Sequence, residues 1–160
     1  MNNLKFGVSL AATCSASILA GYFYYQSTIY FSETCRTTLN YITEQNNEKF
    51  SMDVDLVMTF HKNRRGELYI SGKAELNGQP SFINKRQSFN YKYIDNRNYH
   101  VEIKDITNLY NDNISEDFIY HYLPTLALGN TRHLSFEKIT DNTLLISNRH
   151  APMITCVIDQ

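Results

Sequence analysis

Charge is what this sequence has least of. Only 19% of its 160 residues are charged, 15 basic against 16 acidic. So even a balance builds neither a basic face for nucleic acid nor an acidic tail. Three prolines, six glycines and no low-complexity tract exclude a disordered or linker-rich chain. No C-x-x-C and no H-x-x-x-H occurs, so His61, His100, His121, His133 and His150 offer no metal-ligand spacing. A G-x-S-x-G elbow, a phosphate-cradling glycine loop and a cysteine with a histidine at a telling distance are missing too. No catalytic, cofactor-binding or metal-binding residue is therefore assigned, and a binding role is expected over an enzymatic one.

The most telling absence lies near the amino terminus, where no charged side chain occurs between Lys5 and Glu33. About 20 largely apolar residues suffice for a helix to cross a hydrocarbon core of roughly 30 Å. Gly7, Ala11, Ala12, Ala16, Ala20 and Gly21 suit a packed membrane helix. Tyr22, Phe23, Tyr24 and Tyr25 form an aromatic cluster of the kind found at headgroup level. A cleaved signal peptide is the rival, but cleavage after Ala20 places Ile18 where a small residue is needed. A buried core helix is the third reading. An uncleaved anchor is expected over residues 6–28, after a cytoplasmic tip at 1–5. Lys5 and the α-amine favour a cytoplasmic amino terminus, which puts the remainder in the periplasm of a bacterium. That remainder carries all 16 acidic and 14 of the 15 basic residues, a net charge near −2.

The anchor sorts the three cysteines. Cys14 falls in the membrane, whereas Cys35 and Cys156 fall on the oxidising side, where one pairing is open to them. Two separate reduced thiols are the alternative.

Residues 29–47 contain Cys35, Leu39 and Ile42 at helical spacing, which predicts a juxtamembrane helix. From residue 48 the period changes to two. Phe50, Met52, Val54, Leu56, Met58 and Phe60 share one face of a strand, and Asp53 and Asp55 lie on its solvated face. A turn ending at Gly66 leads to a second strand through Leu68, Ile70, Gly72, Ala74 and Leu76. Asn77-Gly78 is a strong hairpin signal. The next strand, 81–95, shifts its inward set from Phe82 to Phe89, Tyr91 and Tyr93, so a bulge is expected between Lys85 and Ser88. Lys85 and Arg86 beside it read as protection of a sheet edge, or as a greeting for an anionic ligand.

Tyr99, Val101 and Ile103 mark a fourth strand, with His100 facing out. Ser115 caps a short inserted helix carrying Phe118, Ile119, Tyr122 and Leu123, closed by Pro124. Strands at 132–139, 143–147 and 153–159 complete the chain, with Arg132-His133 and Arg149-His150 read as surface residues. The fold class is thus mainly β behind an amino-terminal transmembrane helix. About seven antiparallel strands of a periplasmic β domain at 48–160 form a small barrel or curved sheet, lipocalin-like in general form, with a sandwich second. Phe89, Tyr91, Tyr93, Tyr99, Phe118 and Tyr122 are the candidates to line a cavity for an amphipathic ligand such as a lipid or bile salt; an ordinary packed core is the alternative.

This organisation, with MTFHKNRRGELYISGKAELNGQ and NKRQSFNYKYI, resembles the FidL-like family of enterobacterial membrane proteins. The resemblance implies an anchored periplasmic companion of a membrane-spanning transcription regulator of the ToxR type, comparable with companions of the ToxS and VtrC kind. It transfers no binding residue to a numbered position, and its motifs are hairpin patterns.

Overall fold

The computed structural model of the chain describes the backbone of residues 2–45, 48–115, 118, 121, 131–148 and 151–159, and the side chains of all these except 2–12, 26–28 and 45. One helix, α1 (Asn2–Ile29), precedes eight strands: β1 (Thr34–Gln45), β2 (Glu48–His61), β3 (Arg65–Leu76), β4 (Gln79–Asp95), β5 (Asn98–Asn108), β6 (Thr131–Thr140), β7 (Thr143–Ser147) and β8 (Pro152–Ile158). Each pairs antiparallel with the next, and β8 returns to β1, so the sheet closes into a barrel.

The expected barrel is present with one strand more than expected. Residues 34–45 form β1 and not a juxtamembrane helix, in register with β2 from Thr34↔Thr59 to Gln45↔Glu48. Cys35, Thr37 and Leu39 turn inward with period two, and Ile42 turns out to solvent. Thr37, Thr38, Tyr41, Ile42 and Thr43 are β-branched or aromatic, and the long apolar face of β2 offers this segment a partner that an isolated helix lacks.

The rest of the meander follows the alternation. All six expected inward residues of β2 are buried, while Asp53 and Asp55 are exposed, Asp55 accepting a 2.7 Å hydrogen bond from the Thr38 hydroxyl. Asn77 and Gly78 both have positive φ, 51° and 83°, as the tight two-residue hairpin requires. In β4 the parity never changes: Ile83, Lys85, Gln87, Phe89 and Tyr91 all point inward, and Phe82 is exposed. The register shift does fall at Ser88/Phe89, but the extra residue is Lys104 of β5, since Ser88 pairs with Asp105 and Phe89 with Ile103. No edge lies at Lys85 and Arg86, because β4 is flanked by β3 and β5.

The barrel is uneven. The β2–β3 and β3–β4 pairs each run twelve residues, whereas β6, β7 and β8 are short. The β1–β8 seam has two register pairs, Cys35↔Ile158 and Arg36↔Val157. Beyond Arg36, among the described residues, β1 has no strand on its outer side. Tyr41 and Ile42, 41% and 72% exposed, lie on this edge.

Among the described residues, no helix is long and apolar enough to cross a membrane. Within α1 the side chains of 13–25 are exposed and Ile29 packs partly buried against the barrel core, and much of the expected anchor at 6–28 lies outside the described side chains. Of the inserted helix, the cap is visible: Ser115 Oγ accepts from the Phe118 N–H at 3.2 Å, and Phe118 and His121 are helical. Its continuation through Tyr122 and Pro124 lies outside the described residues.

Candidate functional site

The chain leaving α1 corks one end of the barrel. Tyr99 donates its hydroxyl to the Ile29 carbonyl at 2.6 Å. Tyr91 donates to the His61 carbonyl at 2.8 Å and lies 3.3 Å from that of Phe31. Phe31 packs its ring among Phe60, Tyr99 and Phe136, with centroids 5.7 to 5.9 Å away, and Arg64 sits 5.2 Å above the Tyr30 ring. Edge-to-face aromatic pairs of this kind contribute about 0.5–1.5 kcal/mol each beyond burial. Burial, reinforced by Tyr93 and Tyr30, pushes the Tyr99 hydroxyl up to about 12, and burial raises Tyr91 further.

At the other end the long strands extend past the short ones, and the segment after β5 folds across them as a strap. Asn113 Oδ1 accepts from the Phe82 N–H at 2.6 Å and Asp112 Oδ2 from the Asn84 N–H at 2.9 Å. Lys85, 1% exposed, reaches Asp112 Oδ1 at 3.1 Å and Asn108 Oδ1 at 2.7 Å from inside the wall. Buried amine and carboxylate thus neutralise one another where neither could stand alone. Ile114 and Phe118 complete this layer over Phe50 and Met52.

Between cork and strap lies a cavity of about 180 Å³. Its aliphatic wall includes Leu39, Met52, Val54, Leu56, Val101 and Ile103; Phe60, Phe89 and Phe136 form its aromatic end. Gln87 and Arg132 are its polar lining residues among those described. Gln87 is 1% exposed. Arg132 is half-buried, and its Nε is shut off from solvent with no hydrogen-bond partner among the described residues.

Of the five expected cavity residues that are described, Phe89 lines this space and the other four do not. Tyr91, Tyr93 and Tyr99 form the cork region, Phe118 meets Phe50 edge to face with centroids 5.2 Å apart, and Tyr122 lies outside the described residues. The wall is built instead by the inward face of β2, whose direction was legible but whose distance from the centre was not. Arg132, expected at the surface, lines the interior. Its position two and four residues before Leu134 and Phe136 was the available signal, since all three share one face of β6. Cys35 and Cys156 are bonded as expected; Cys14 is a free, exposed thiol. His100 is half-buried and meets the exposed His133 on the outer wall, rings 5.3 Å apart. Among the described residues no three histidine, cysteine or carboxylate side chains gather to hold a metal ion.

No curated protein matches the chain closely enough to lend it an activity. The sequence profile of the family described as "FidL-like putative membrane protein" matches residues 72–156, from the middle of β3 to the bridged cysteine of β8. The match takes in the strap, Arg132 and the part of the cavity lining carried by β4, β5, β6, β7 and β8, but not the β2 wall. It covers more than half of the chain, and the protein therefore belongs to the FidL-like family.

Proposed function

We propose that the protein is a binding module tethered to the bacterial inner membrane, whose periplasmic barrel docks as an accessory partner on a membrane-bound transcription regulator of the ToxR type. The observation that carries this reading is the outer edge of β1. Past Arg36 it has no strand beside it among the described residues, and it exposes Tyr41 and Ile42. An unpaired strand edge is a template for a strand from another chain, and backbone hydrogen bonds then supply affinity without a catalytic group. The uncharged span from Lys5 to Glu33 and the family's description support the tether, with α1 as the anchor and the amino terminus in the cytoplasm. The Cys35–Cys156 bridge supports an oxidising compartment for the barrel.

The test is photo-crosslinking in intact cells from position 42, with exposed position 92 on β4 as the comparison. A membrane-protein adduct from 42 and none from 92 is expected. Equal labelling from both positions, or none from either, counts against docking at β1.

A second reading is favoured by the cavity: the barrel holds an amphipathic ligand on its own. Ligand pockets for drug-sized molecules occupy about 300–1,000 Å³, so the 180 Å³ here is small for a bile salt and suited to a single lipid chain. Purification without detergent, followed by mass spectrometry of extracted small molecules, separates this reading from the first.

A further inference from the structure

We infer that the cavity is a site for the carboxylate of a short straight-chain fatty acid, with Arg132 holding the headgroup and the alkyl tail running toward Phe60 and Phe136. The inference rests on the second reading above and names its ligand class. Three observations carry it.

The first is polarity. Almost the whole described lining is aliphatic or aromatic, and its cation is an arginine whose Nε is buried with no acceptor among the described residues. A buried donor left unpaired is costly, and a guanidinium is matched best by a carboxylate, which can accept two of its N–H groups together.

The second is direction. Arg132, Leu134 and Phe136 share the inward face of β6, so a polar-to-apolar gradient runs up one strand over roughly 13 Å. Arg132 and Met153 stand near the first residues of β6 and β8, at one rim of the short half of the barrel, and Met153 is 42% exposed. Phe60 and Phe136 close the far end with ring centroids 5.1 Å apart. A headgroup therefore belongs at the rim and a tail inside.

The third is size. A methylene fills nearly the roughly 30 Å³ of a water molecule in the liquid, so a 180 Å³ cavity takes about six. An engineered apolar cavity of about 150 Å³ holds benzene, whereas a steroid or a second acyl chain is excluded here by volume.

The protein carries its own reporters. Met52, Met58 and Met153 line the cavity, and Met1, at the amino terminus, is the reference. The full chain, methyl-labelled on methionine and held in lipid nanodiscs, is titrated with hexanoate, octanoate, dodecanoate and neutral octanol, with empty nanodiscs correcting for partition. Met52, Met58 and Met153 are expected to shift together. Affinity is expected to rise about fourfold per added carbon up to octanoate and then level off, as each methylene finds apolar wall until the space is full. Arg132→Gln is expected to weaken octanoate about tenfold or more without changing octanol, and Arg132→Lys to restore part of the loss. Val54→Trp, which fills the cavity, is expected to abolish both.

Octanol binding as tightly as octanoate, or an Arg132→Gln protein that binds octanoate undiminished, overturns the headgroup assignment while leaving the cavity a ligand site. Affinity climbing on through dodecanoate overturns the assignment of chain length. Methyl groups that stay still with every probe overturn this inference and the second reading together. Should Arg132→Gln fail to fold, the preference of the unsubstituted protein for octanoate over octanol decides the headgroup alone.

Discussion

Cys35 and Cys156 join the first strand of the barrel to the last, their Cα atoms 5.4 Å apart and 121 residues apart in sequence. They sit at the weakest seam of the wall, where β1 and β8 share two register pairs, one of them made by Cys35 itself. In the chain-entropy account a bridge closing so long a loop contributes up to about 4–5 kcal/mol. Reduction, or Cys35→Ser with Cys156→Ser, is expected to lower the melting temperature and to speed hydrogen exchange at Arg36 and Val157. The amides of β3, paired on both sides, are expected to stay slow. Equal acceleration in β3 and at the seam contradicts a local role for the bridge.

Lys85 and Asp112 are the second tie, fastening the strap to β4 from within. Removing one partner strands a buried charge and costs about 3–5 kcal/mol, whereas replacing both by apolar groups of similar volume is far less harmful. Asp112→Ala is therefore expected to destabilise more than Lys85→Met, because Asp112 also accepts from the Asn84 N–H. The combination Lys85→Met with Asp112→Leu is expected to recover part of the Asp112→Ala loss. Denaturant midpoints of the three proteins check this, and additive losses in the double variant contradict the pairing.

The same lysine breaks the apolar alternation that marks the inner face elsewhere. Barrels put one residue in two inside, and on β2 that alternation was apolar and therefore plain. On β4 the inside positions include Lys85 and Gln87. Two polar residues in an inward series imitate a change of parity, so the sequence pattern points to a bulge in β4 where the extra residue belongs to β5. Lys85 can be inside because Asn108 and Asp112, more than twenty residues later, supply its acceptors. No local pattern carries that information. β1 is hidden by a coincidence of spacing, since Cys35 and Leu39 fit one face of a helix or of a strand, and Ile42, which points out of the barrel, completes the helical spacing. Tyrosines marked the interior correctly in kind, but Tyr91 and Tyr99 spend their hydroxyls on backbone carbonyls at the cork, which leaves the aliphatic side chains to line the cavity.

Gly72 is required by the approach of two strands. A Cβ there would overlap the Asp53 carbonyl oxygen and come within 2.7 Å of Val54 Cα. Both are backbone atoms of β2, so no side chain can turn aside. Gly72→Ala is expected to cost at least about 1–3 kcal/mol, as overpacking does, and to reshape the cavity wall at Val54. Ser71→Ala, its exposed neighbour, is expected to stay within about 0.5 kcal/mol. Urea unfolding of the two variants measures the difference; equal midpoints contradict the close approach.

Alkaline pH tests the cork. An unfolded tyrosine ionises near pH 10, whereas folded Tyr99 is held up to about 12 and Tyr91 is raised further. Below pH 10 both hydroxyls are protonated in the folded and the unfolded chain, and their contribution is fully present. As pH climbs from 10 toward 12 the unfolded chain loses those protons first, so stability falls by up to about 1.4 kcal/mol per pH unit for each group. Tyr99→Phe removes one of the two and also leaves the Ile29 carbonyl without its hydroxyl donor. It is expected to lower stability by about 1 kcal/mol at pH 8 and to flatten the decline above pH 10. The two curves therefore converge with rising pH. Urea unfolding at pH 8, 10 and 11 measures the gap between them, and a gap that stays constant means that Tyr99 ionises as freely folded as unfolded and that the cork does not exclude water.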